Sequence, residues 1–266
     1  MLRFLESMQF VLFVFFTAAY AYQIVYLFVG LIGKGRGGRE NAKLHRYAAV
    51  VAARNESAVI ANLIRTLKEQ NYPSELLDIY VIADNCTDNT AQISRQAGAY
   101  VYERFNKVQV GKGYALEYLF HHIFEDKGET AYDGFFVFDA DNIVDRDFVR
   151  EMNKMFDTGE YTALTSYRNS QNFCANWISA GYALWFLRES RFLNRPRTQL
   201  GVNCAVSGTG FLVSAQAVRE DAGWPYHLLT EDIEFSIACA TRGRRIGYCG
   251  KAVIYDEQPE KFKQSW

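Results

Sequence analysis

An uninterrupted apolar run near the start of the chain limits what it can fold into. From Met8 to Gly33 no charged residue occurs in 26 positions. A helix of this length, rising about 1.5 Å per residue, can cross a hydrocarbon layer of about 30 Å. We therefore predict that residues 1–33 form an N-terminal transmembrane anchor, that the chain resides at the cell membrane as a single-pass segment, and that the lipid bilayer is one of its partners.

Two other interpretations of the run stay open. One is a cleaved signal peptide, because Ala19, Tyr20 and Ala21 resemble a small-x-small cleavage site. The apolar run nevertheless continues well past that point, beyond the usual apolar region of about 7–15 residues. The other is a buried core helix, which an uninterrupted run longer than about 18 residues argues against.

A basic, glycine-rich linker over residues 34–46 follows the run. Its charged residues are Lys34, Arg36, Arg39, Lys43 and Arg46, opposed only by Glu40. The positive-inside bias predicts that everything after the span is cytoplasmic. The glycines favour flexibility, and contact with anionic lipid heads would be an additional role for the cations.

Composition excludes several classes of protein. The chain has 49% apolar residues and four prolines, which argues against a disordered chain. Its 29 basic and 30 acidic residues give no general attraction to nucleic acid, and none is predicted as a partner. Residues 47–266 hold 23 basic and 28 acidic residues, so an anionic substrate would need a cation or local donors there. Five cysteines without a C-x-x-C pair indicate free thiols in a reducing compartment.

Alternating apolar strands and amphipathic helices predict an α/β domain over residues 47–266. The predicted strands are Tyr47–Ala53, Leu77–Ala83, Ala99–Glu103 and Gly134–Phe138, and the predicted helices include 88–96, 112–124, 174–192 and 231–242. This order favours a mostly parallel central sheet with helices on both faces. The aromatic residues of the 174–192 helix are expected to pack against the domain or the bilayer rather than to bind a sugar.

Acidic residues follow two of the predicted strands. Asp84 comes directly after the second strand, and Asp139 and Asp141 follow the fourth. Ligands of open α/β sheets gather at the carboxyl ends of the strands, and residues i and i+2 of an extended segment point the same way. Asp139 and Asp141 could therefore present two carboxylates to one Mg²⁺ or Mn²⁺, which usually also takes phosphate oxygens. A D-x-D triplet alone also occurs by chance in loops.

The carboxylates of Glu231 and Asp232 stand at the start of a predicted helix, after Thr230. They could simply cap the helix and pair with its dipole. Alternatively, Asp232 could be a general base. The spacing does not decide between the two.

Two glycine-containing segments are less specific. Lys112 does not belong to a P-loop, because Asn106 stands where that motif needs glycine and no Ser or Thr follows the lysine. Gly208 and Gly210 suit either close approach of the backbone to a ligand or a tight turn.

Read in order, these segments resemble the membrane-bound family-2 glycosyltransferases, in the branch of the cellulose, chitin and poly-N-acetylglucosamine synthases. The resemblance covers residues 47–266 and rests on six ordered motifs: ARNE at 53–56, ADNCTDNT at 83–90, GKGYAL at 111–116, DAD at 139–141, SGTG at 207–210 and TED at 230–232. It implies a GT-A fold, a nucleotide-diphosphate sugar donor, a divalent metal (Mg²⁺ or Mn²⁺) and inversion at the anomeric carbon.

The resemblance also implies a role for each matching position. Asp232 would be the catalytic base, and Asp141, with Asp139, would bind the metal. The expected donor-binding residues are Ala53, Asn55, Glu56, Asp84 near the base, Asp88, Lys112, Asp139, Gly208, Gly210 and Glu231. The implied reaction transfers a glucose-type or N-acetylglucosamine-type sugar, from a UDP-sugar donor, to a glycan acceptor at the cytoplasmic membrane face. The alternatives are a non-processive transfer to a lipid-linked acceptor and a non-catalytic sugar-nucleotide-binding subunit.

Two departures from the family pattern affect these expectations. Asn85 and Cys86 stand where many relatives carry Gly-Ser, a change that leaves Asp84 in place. Processive members continue to a Q-x-x-R-W motif and further membrane helices, whereas this sequence stops at Gln264-Ser265-Trp266, so we expect a C-terminal part of the catalytic domain to be missing. A rival class is a haloacid-dehalogenase-like phosphatase, but that family needs Gly-Thr after D-x-D, and Asn142-Ile143 follows here.

Overall fold

The computed structural model describes residues 2–33 and 35–261. The apolar run forms two consecutive helices, α1 (Leu2–Tyr20) and α2 (Tyr22–Ile32), which are interrupted at Ala21. By length and composition the stretch Arg3–Ile32 could cross a membrane, and none of its most apolar window is buried. Lys34 of the basic linker and the terminal residues 264–266 lie outside the described part of the chain.

The remaining helices and strands alternate up to residue 139 and less regularly after it. The helices are α3 (Ile60–Lys68), α4 (Thr90–Gln96), α5 (Lys112–Lys127), α6 (Phe148–Phe156), α7 (Trp177–Glu189), α8 (Arg195–Leu200), α9 (Ala215–Glu220) and α10 (Glu231–Thr241). The strands are β1 (Tyr47–Ala53), β2 (Leu77–Asp84), β3 (Tyr100–Arg104), β4 (Gly134–Asp139), β5 (Ile143–Val144), β6 (Ala163–Ser170), β7 (Phe211–Ser214) and β8 (Ile246–Asp256). A single turn of 3-10 helix covers Ser74–Leu76, and a π-helical turn, Ser190–Asn194, joins α7 to α8.

The described strands form one mixed sheet in the order β3-β2-β1-β4-β7-β6-β8-β5. β1 pairs in parallel with β2 and β4, and β2 pairs in parallel with β3, as the alternating pattern predicts. β7 runs antiparallel between β4 and β6, while β6 and β8 are parallel. The α/β class is thereby confirmed, and antiparallel pairing is confined to the half of the sheet beyond β4.

The two faces of the sheet are both covered, because β1, β2 and β4 alternate between two buried clusters. Val50 of β1 belongs to a cluster with Phe120 of α5, and its neighbour Val51 packs with Leu63 of α3 and Met152 of α6. A strand buried on both faces reads as a continuous apolar run, which is why the YAAVVAA segment was recognisable from its sequence.

The register brings the acidic strand ends to one edge of the sheet. Ala53 is opposite Ala83, directly before Asp84, and Ala52 is opposite Asp139. The carboxyl ends of three neighbouring parallel strands therefore lie side by side, and the loops that follow them form the candidate site.

Several predicted boundaries shift. The helix predicted from Asp88 begins at Thr90, and the aromatic helix predicted over 174–192 begins at Trp177 and changes to a π-helical turn at Ser190. Thr230 precedes α10 but makes no side-chain cap, so the capping interpretation of that segment is not supported for the threonine.

Candidate active site

The loops after β1 and β2 are fastened to each other by polar contacts. Asn55 has a φ of 58°, in the left-handed region that asparagine tolerates better than most residues. Its side-chain oxygen accepts a hydrogen bond from the Thr87 backbone N–H at 2.8 Å. The backbone N–H of Glu56 donates to the Thr90 hydroxyl at 2.8 Å. The ARNE and ADNCTDNT segments thus form one rigid corner at the sheet edge.

Asp88 completes this corner. Its carboxylate accepts hydrogen bonds from the backbone N–H groups of Thr90 at 3.0 Å and Ser57 at 3.2 Å. Hydrogen bonds from the side chain of Thr90 and from Ser57 lower the pKa of Asp88 to about 2, because they favour its charged form. Through these contacts Asp88 holds the loops after β1 and β2 together.

Asp84 is buried and already has a cationic partner. Arg104, at the end of β3, donates to Asp84 Oδ1 at 2.7 Å and to the Gln109 carbonyl at 2.8 Å. Arg104 is not among the residues predicted from motifs, although the β2–β3 pairing places it directly opposite Asp84. The next residue, Asn85, has a buried side-chain Nδ2 without a hydrogen-bond partner among the described residues. A buried amide donor without a partner is what a ligand carbonyl or ring nitrogen would satisfy.

Lys112 contacts residues from three of the predicted motifs, DAD, SGTG and TED. Its ammonium group contacts Asp139 Oδ1 at 2.5 Å, the Gly208 carbonyl oxygen at 2.6 Å and Glu231 Oε1 at 3.6 Å. Burial opposes charging, but attraction to Asp139, Glu231 and Asp232 outweighs it and raises the pKa of Lys112 above its usual value. The lysine therefore holds four predicted site residues, Asp139, Gly208, Glu231 and Asp232, within one electrostatic cluster.

The SGTG segment needs both of its glycines. Gly208 and Gly210 have φ values of 66° and 63°, which residues with a side chain rarely adopt. A Cβ at Gly210 would lie 2.5 Å from Ile254 Cδ1, and one at Gly208 would lie 3.4 Å from Asp232 Oδ2. Asp232 therefore faces the Gly208 backbone at the start of α10.

An acidic cavity of about 480 Å³ opens at the sheet edge. Its described lining includes five carboxylates, from Glu56, Asp139, Asp141, Asp256 and Glu257. Burial raises the pKa of Asp141 to about 6, and repulsion from Asp256, Asp139 and Glu56 adds to the rise. The cavity thus concentrates negative charge around Asp141.

Other elements complete this cavity. Arg168 of β6 donates to Asp256 through Nε at 2.8 Å and stacks on the ring of Phe186 with 4.6 Å to the ring centroid. Tyr182 and Phe186 of α7 line the cavity. The sequence predicts that the aromatic residues of this helix pack against the domain or the bilayer rather than bind a sugar. Trp177 and Trp185 of the same helix are exposed.

Asn142 links the D-x-D segment to its neighbours. Its amide donates to Asp256 at 3.2 Å, and its oxygen accepts from the Thr209 hydroxyl. Asp256 could have been recognised from sequence, since it ends the apolar segment AVIY just as Asp84 and Asp139 end theirs.

The predicted site residues other than Ala53 and Gly210 divide into three groups. Glu56, Asp139 and Asp141 share the acidic cavity, while Lys112, Gly208, Glu231 and Asp232 join it through the contact between Lys112 and Asp139. Asn55, Asp84 and Asp88 hold the adjoining corner, and Asp84 does not line the cavity. Ala53 is buried at the end of β1.

The donor set suits a hard divalent cation. Carboxylate oxygens surround Asp141, and its raised pKa means that bound positive charge would relieve their repulsion. Among the described residues, no three His, Cys, Asp or Glu side chains form a ready-made metal cage. This is compatible with Mg²⁺ or Mn²⁺, which usually takes only one or two carboxylates and completes its shell with substrate phosphates and water.

An open α/β sheet with an acidic cavity at the carboxyl ends of its strands defines a domain that binds its ligand at that edge. The model of the Glycosyltransferase like family 2 matches residues 45–266, and the chain belongs to this family.

Individual relatives agree with the family assignment. The chain is 27% identical over 213 residues to a beta-monoglucosyldiacylglycerol synthase of Synechocystis, covering 78% of this chain and 43% of the relative. It is 26% identical over 224 residues to the poly-beta-1,6-N-acetyl-D-glucosamine synthase of Staphylococcus aureus, covering 82% and 51%. The chain thus spans about half the length of these relatives.

A solved structure supports the fold. The mannosyltransferase PcManGT of Pyrobaculum calidifontis, in complex with GDP-Man and Mn²⁺, superposes with a TM-score of 0.71 and 17% identity, covering 96% of this chain and 70% of that one. The GT-A-like fold that the resemblance implied is therefore confirmed.

Proposed function

We propose that this chain carries out a metal-dependent, inverting transfer of a sugar from a nucleotide-diphosphate donor, a UDP-sugar of the glucose or N-acetylglucosamine type. The acceptor would be a glycan or a lipid, at the cytoplasmic face of the membrane. Family membership supports the reaction class, and each acceptor type has a counterpart among the relatives, one named for a glycolipid and one for a polysaccharide.

The observation that carries the proposal is the Lys112 cluster. Its ammonium bridges Asp139, from the D-x-D segment, to Glu231, which is next to the proposed base Asp232. An inverting displacement needs negative charge stabilised on the leaving diphosphate and a base near the incoming hydroxyl. One lysine contacts both the D-x-D segment and the TED segment, which supports assigning these two tasks to one site.

We assign a role to each residue from the groups that surround it. Asp139 and Asp141 would hold a Mg²⁺ or Mn²⁺ ion, which when bound stabilises charge on the diphosphate. The Asn85 amide and the corner at Asn55, Glu56 and Asp84 would bind the nucleoside. Asp232 would accept the proton of the acceptor hydroxyl.

Replacing Asp232 tests the assignment of the base. We expect Asp232→Asn to keep donor affinity and to lower turnover about 10²–10⁴-fold, the usual cost of losing a positioned base. Binding and release of UDP from UDP-glucose and UDP-N-acetylglucosamine, with GDP-mannose as the alternative nucleotide, would be measured together with transfer to diacylglycerol and to chito-oligosaccharides. Glu129→Gln, an exposed charge change outside the site, is the matched control. Unchanged transfer by Asp232→Asn would place the base elsewhere, and donor binding without turnover in the parent chain would favour a binding subunit.

Metal removal tests the role of Asp141. Donor binding should require Mg²⁺ or Mn²⁺ and should disappear in excess chelator. Equally tight binding of the donor with chelator would remove the metal role assigned to Asp139 and Asp141. The anomeric configuration of the product, read by nuclear magnetic resonance, would distinguish inversion from retention.

The membrane arrangement is part of the proposal. Helices α1 and α2 would span the bilayer, and the domain that follows would lie on the cytoplasmic side, supported by the apolar length and the basic residues after it. Cysteine labelling of intact cells tests the orientation, because exposed Cys174 should react only with a membrane-permeant reagent.

A further inference from the structure

A second cavity, of about 440 Å³, lies where α2 meets the domain, and its charge is opposite to that of the acidic cavity. Its described lining contains Arg36, Arg191, Arg195 and Lys251 but no Asp or Glu. The two cavities share no described lining residue. Because residues 47–266 carry more acidic than basic side chains, a cavity whose charged lining residues are all cations is not explained by composition.

Most of these cations lack an anionic partner. Arg191 and Lys251 form no ion pair with any described residue. Arg195 donates through Nη2 to the Gly33 carbonyl, while its Nε is buried and has no hydrogen-bond partner in the described part of the chain. Arg36 is the exception, since it pairs at 2.8 Å with Glu160, which is not part of the lining. A buried guanidinium donor and unpaired cations around one space indicate an anionic ligand.

The position of the cavity identifies the source of that anion. Arg195 contacts the carbonyl of Gly33, the residue directly after α2, so the cavity lies at the end of the apolar stretch. Helix α7, which contributes Leu187 to the lining, also exposes Leu184 and Trp185. The headgroups of a bilayer lie at the ends of a spanning helix, and tryptophan favours that interface.

We propose that this cavity binds the phosphate headgroup of an anionic membrane phospholipid. The inference rests on the membrane anchor in the proposed function and adds to it a specific lipid site. Guanidinium groups suit phosphate because they donate paired hydrogen bonds in a fixed plane. Lipid bound there would join α2, the π-helical turn and β8 at the membrane surface.

The test uses the full chain in detergent micelles. Native mass spectrometry would follow binding of short-chain phosphatidylglycerol, with phosphatidylcholine as the neutral comparison and inorganic phosphate as the free anion. The parent chain should retain phosphatidylglycerol over phosphatidylcholine. Arg191→Gln with Lys251→Gln should weaken that binding about tenfold, since each basic residue near an anionic headgroup contributes measurably. The matched control is Arg65→Gln with Arg95→Gln, which removes two exposed cations on α3 and α4.

The outcomes separate the site from the anchor. Equal binding of the two lipids, or undiminished binding by the Arg191 and Lys251 variant, would overturn the proposal. Inorganic phosphate that binds as tightly as phosphatidylglycerol would assign the cavity to a free anion instead. Vesicle flotation tests the anchor independently, because the parent chain and the double variant should both float if α1 and α2 insert. A donor-binding assay on the same variant reports on the acidic cavity separately.

Discussion

At the scale of single residues, the partly buried carboxylate of Asp141 lowers the stability of the folded chain. Burial and three neighbouring carboxylates raise its pKa to about 6. We expect Asp141→Asn to increase the free energy of unfolding at pH 7 without metal by roughly 1 kcal/mol, less than the full shift implies because the side chain is partly open to water. The same change should abolish metal-dependent donor binding. Chemical denaturation checks the first effect, with Glu129→Gln as the control.

The contribution of Asp141 to the free energy of unfolding should depend on pH. A carboxyl whose pKa is higher in the folded chain binds protons preferentially in that state, so its contribution to stability falls as pH rises from about 4 to about 6. The advantage of Asp141→Asn should therefore be full above about pH 6, fade as pH falls, and be lost at about pH 4. An advantage that is constant across this range would mean that repulsion at Asp141 is not its cause.

Arg104 illustrates the opposite case, a buried charge that is neutralised. Removing it leaves the Asp84 carboxylate buried without its cation. We expect Arg104→Gln to lower the free energy of unfolding by about 3 kcal/mol, and Asp84→Asn combined with Arg104→Gln to lose less. Denaturant titration measures both. Arg95→Gln is the control on a half-exposed pair, where a loss below about 1 kcal/mol is expected. Equal losses at the two arginines would contradict the argument.

At the scale of elements, α5 approaches the segment before α10 too closely for a side chain. A Cβ at Gly113 would lie 1.9 Å from the Tyr226 backbone oxygen. Gly113→Ala should therefore displace Lys112 from the Asp232 segment, lower stability by about 1–3 kcal/mol and reduce turnover at least tenfold at unchanged helix content. Circular dichroism and transfer assays measure these effects. In Gly181→Ala, where the new methyl group meets nothing within 4 Å, stability should not fall.

The burial and pairing of the strands explain which parts of the fold and the site could be predicted from the sequence. β1, β2 and β4 were found because both of their faces are buried, which makes each a continuous apolar run. β6 was missed because its second half, Tyr167–Ser170, is polar and pairs with β8 only after a register shift. Asp139, Asp141 and Asp232 are accessible from motifs, and Asp256 from its position at the end of the apolar AVIY segment, whereas Arg104 and Arg168 depend on pairing between strands that the motifs do not encode.

At the scale of the whole molecule, opposite charges are separated between two cavities. The acidic cavity lies at the carboxyl ends of the parallel strands, where a cation and a sugar nucleotide would bind, and the basic cavity lies beside α2. The π-helical turn and α8 contribute lining residues to the basic cavity, and α7 contributes lining residues to both cavities. The orientation of α2 on the domain therefore affects how the catalytic edge faces the membrane.

That orientation depends on Gly30, the one described residue of α2 that is fully packed against the domain. A Cβ there would lie 2.5 Å from the Arg191 backbone oxygen in the π-helical turn. Small residues allow such close approach between helices. Gly30→Ala should improve helix propensity by up to about 1 kcal/mol, yet we expect a net loss of about 1–3 kcal/mol because the backbone oxygen cannot move aside cheaply.

Limited proteolysis in micelles would detect the loosened contact. Trypsin should cut at Arg36 and Arg39 several-fold faster in Gly30→Ala than in the parent chain, because separating α2 from the π-helical turn exposes the linker. Gly37→Ala is the matched control, since a Cβ at Gly37 meets nothing within 4 Å. Indistinguishable cleavage of the two variants would mean that α2 does not dock on the domain through Gly30, and the basic cavity would then lose the helix end that aligns it with the headgroups.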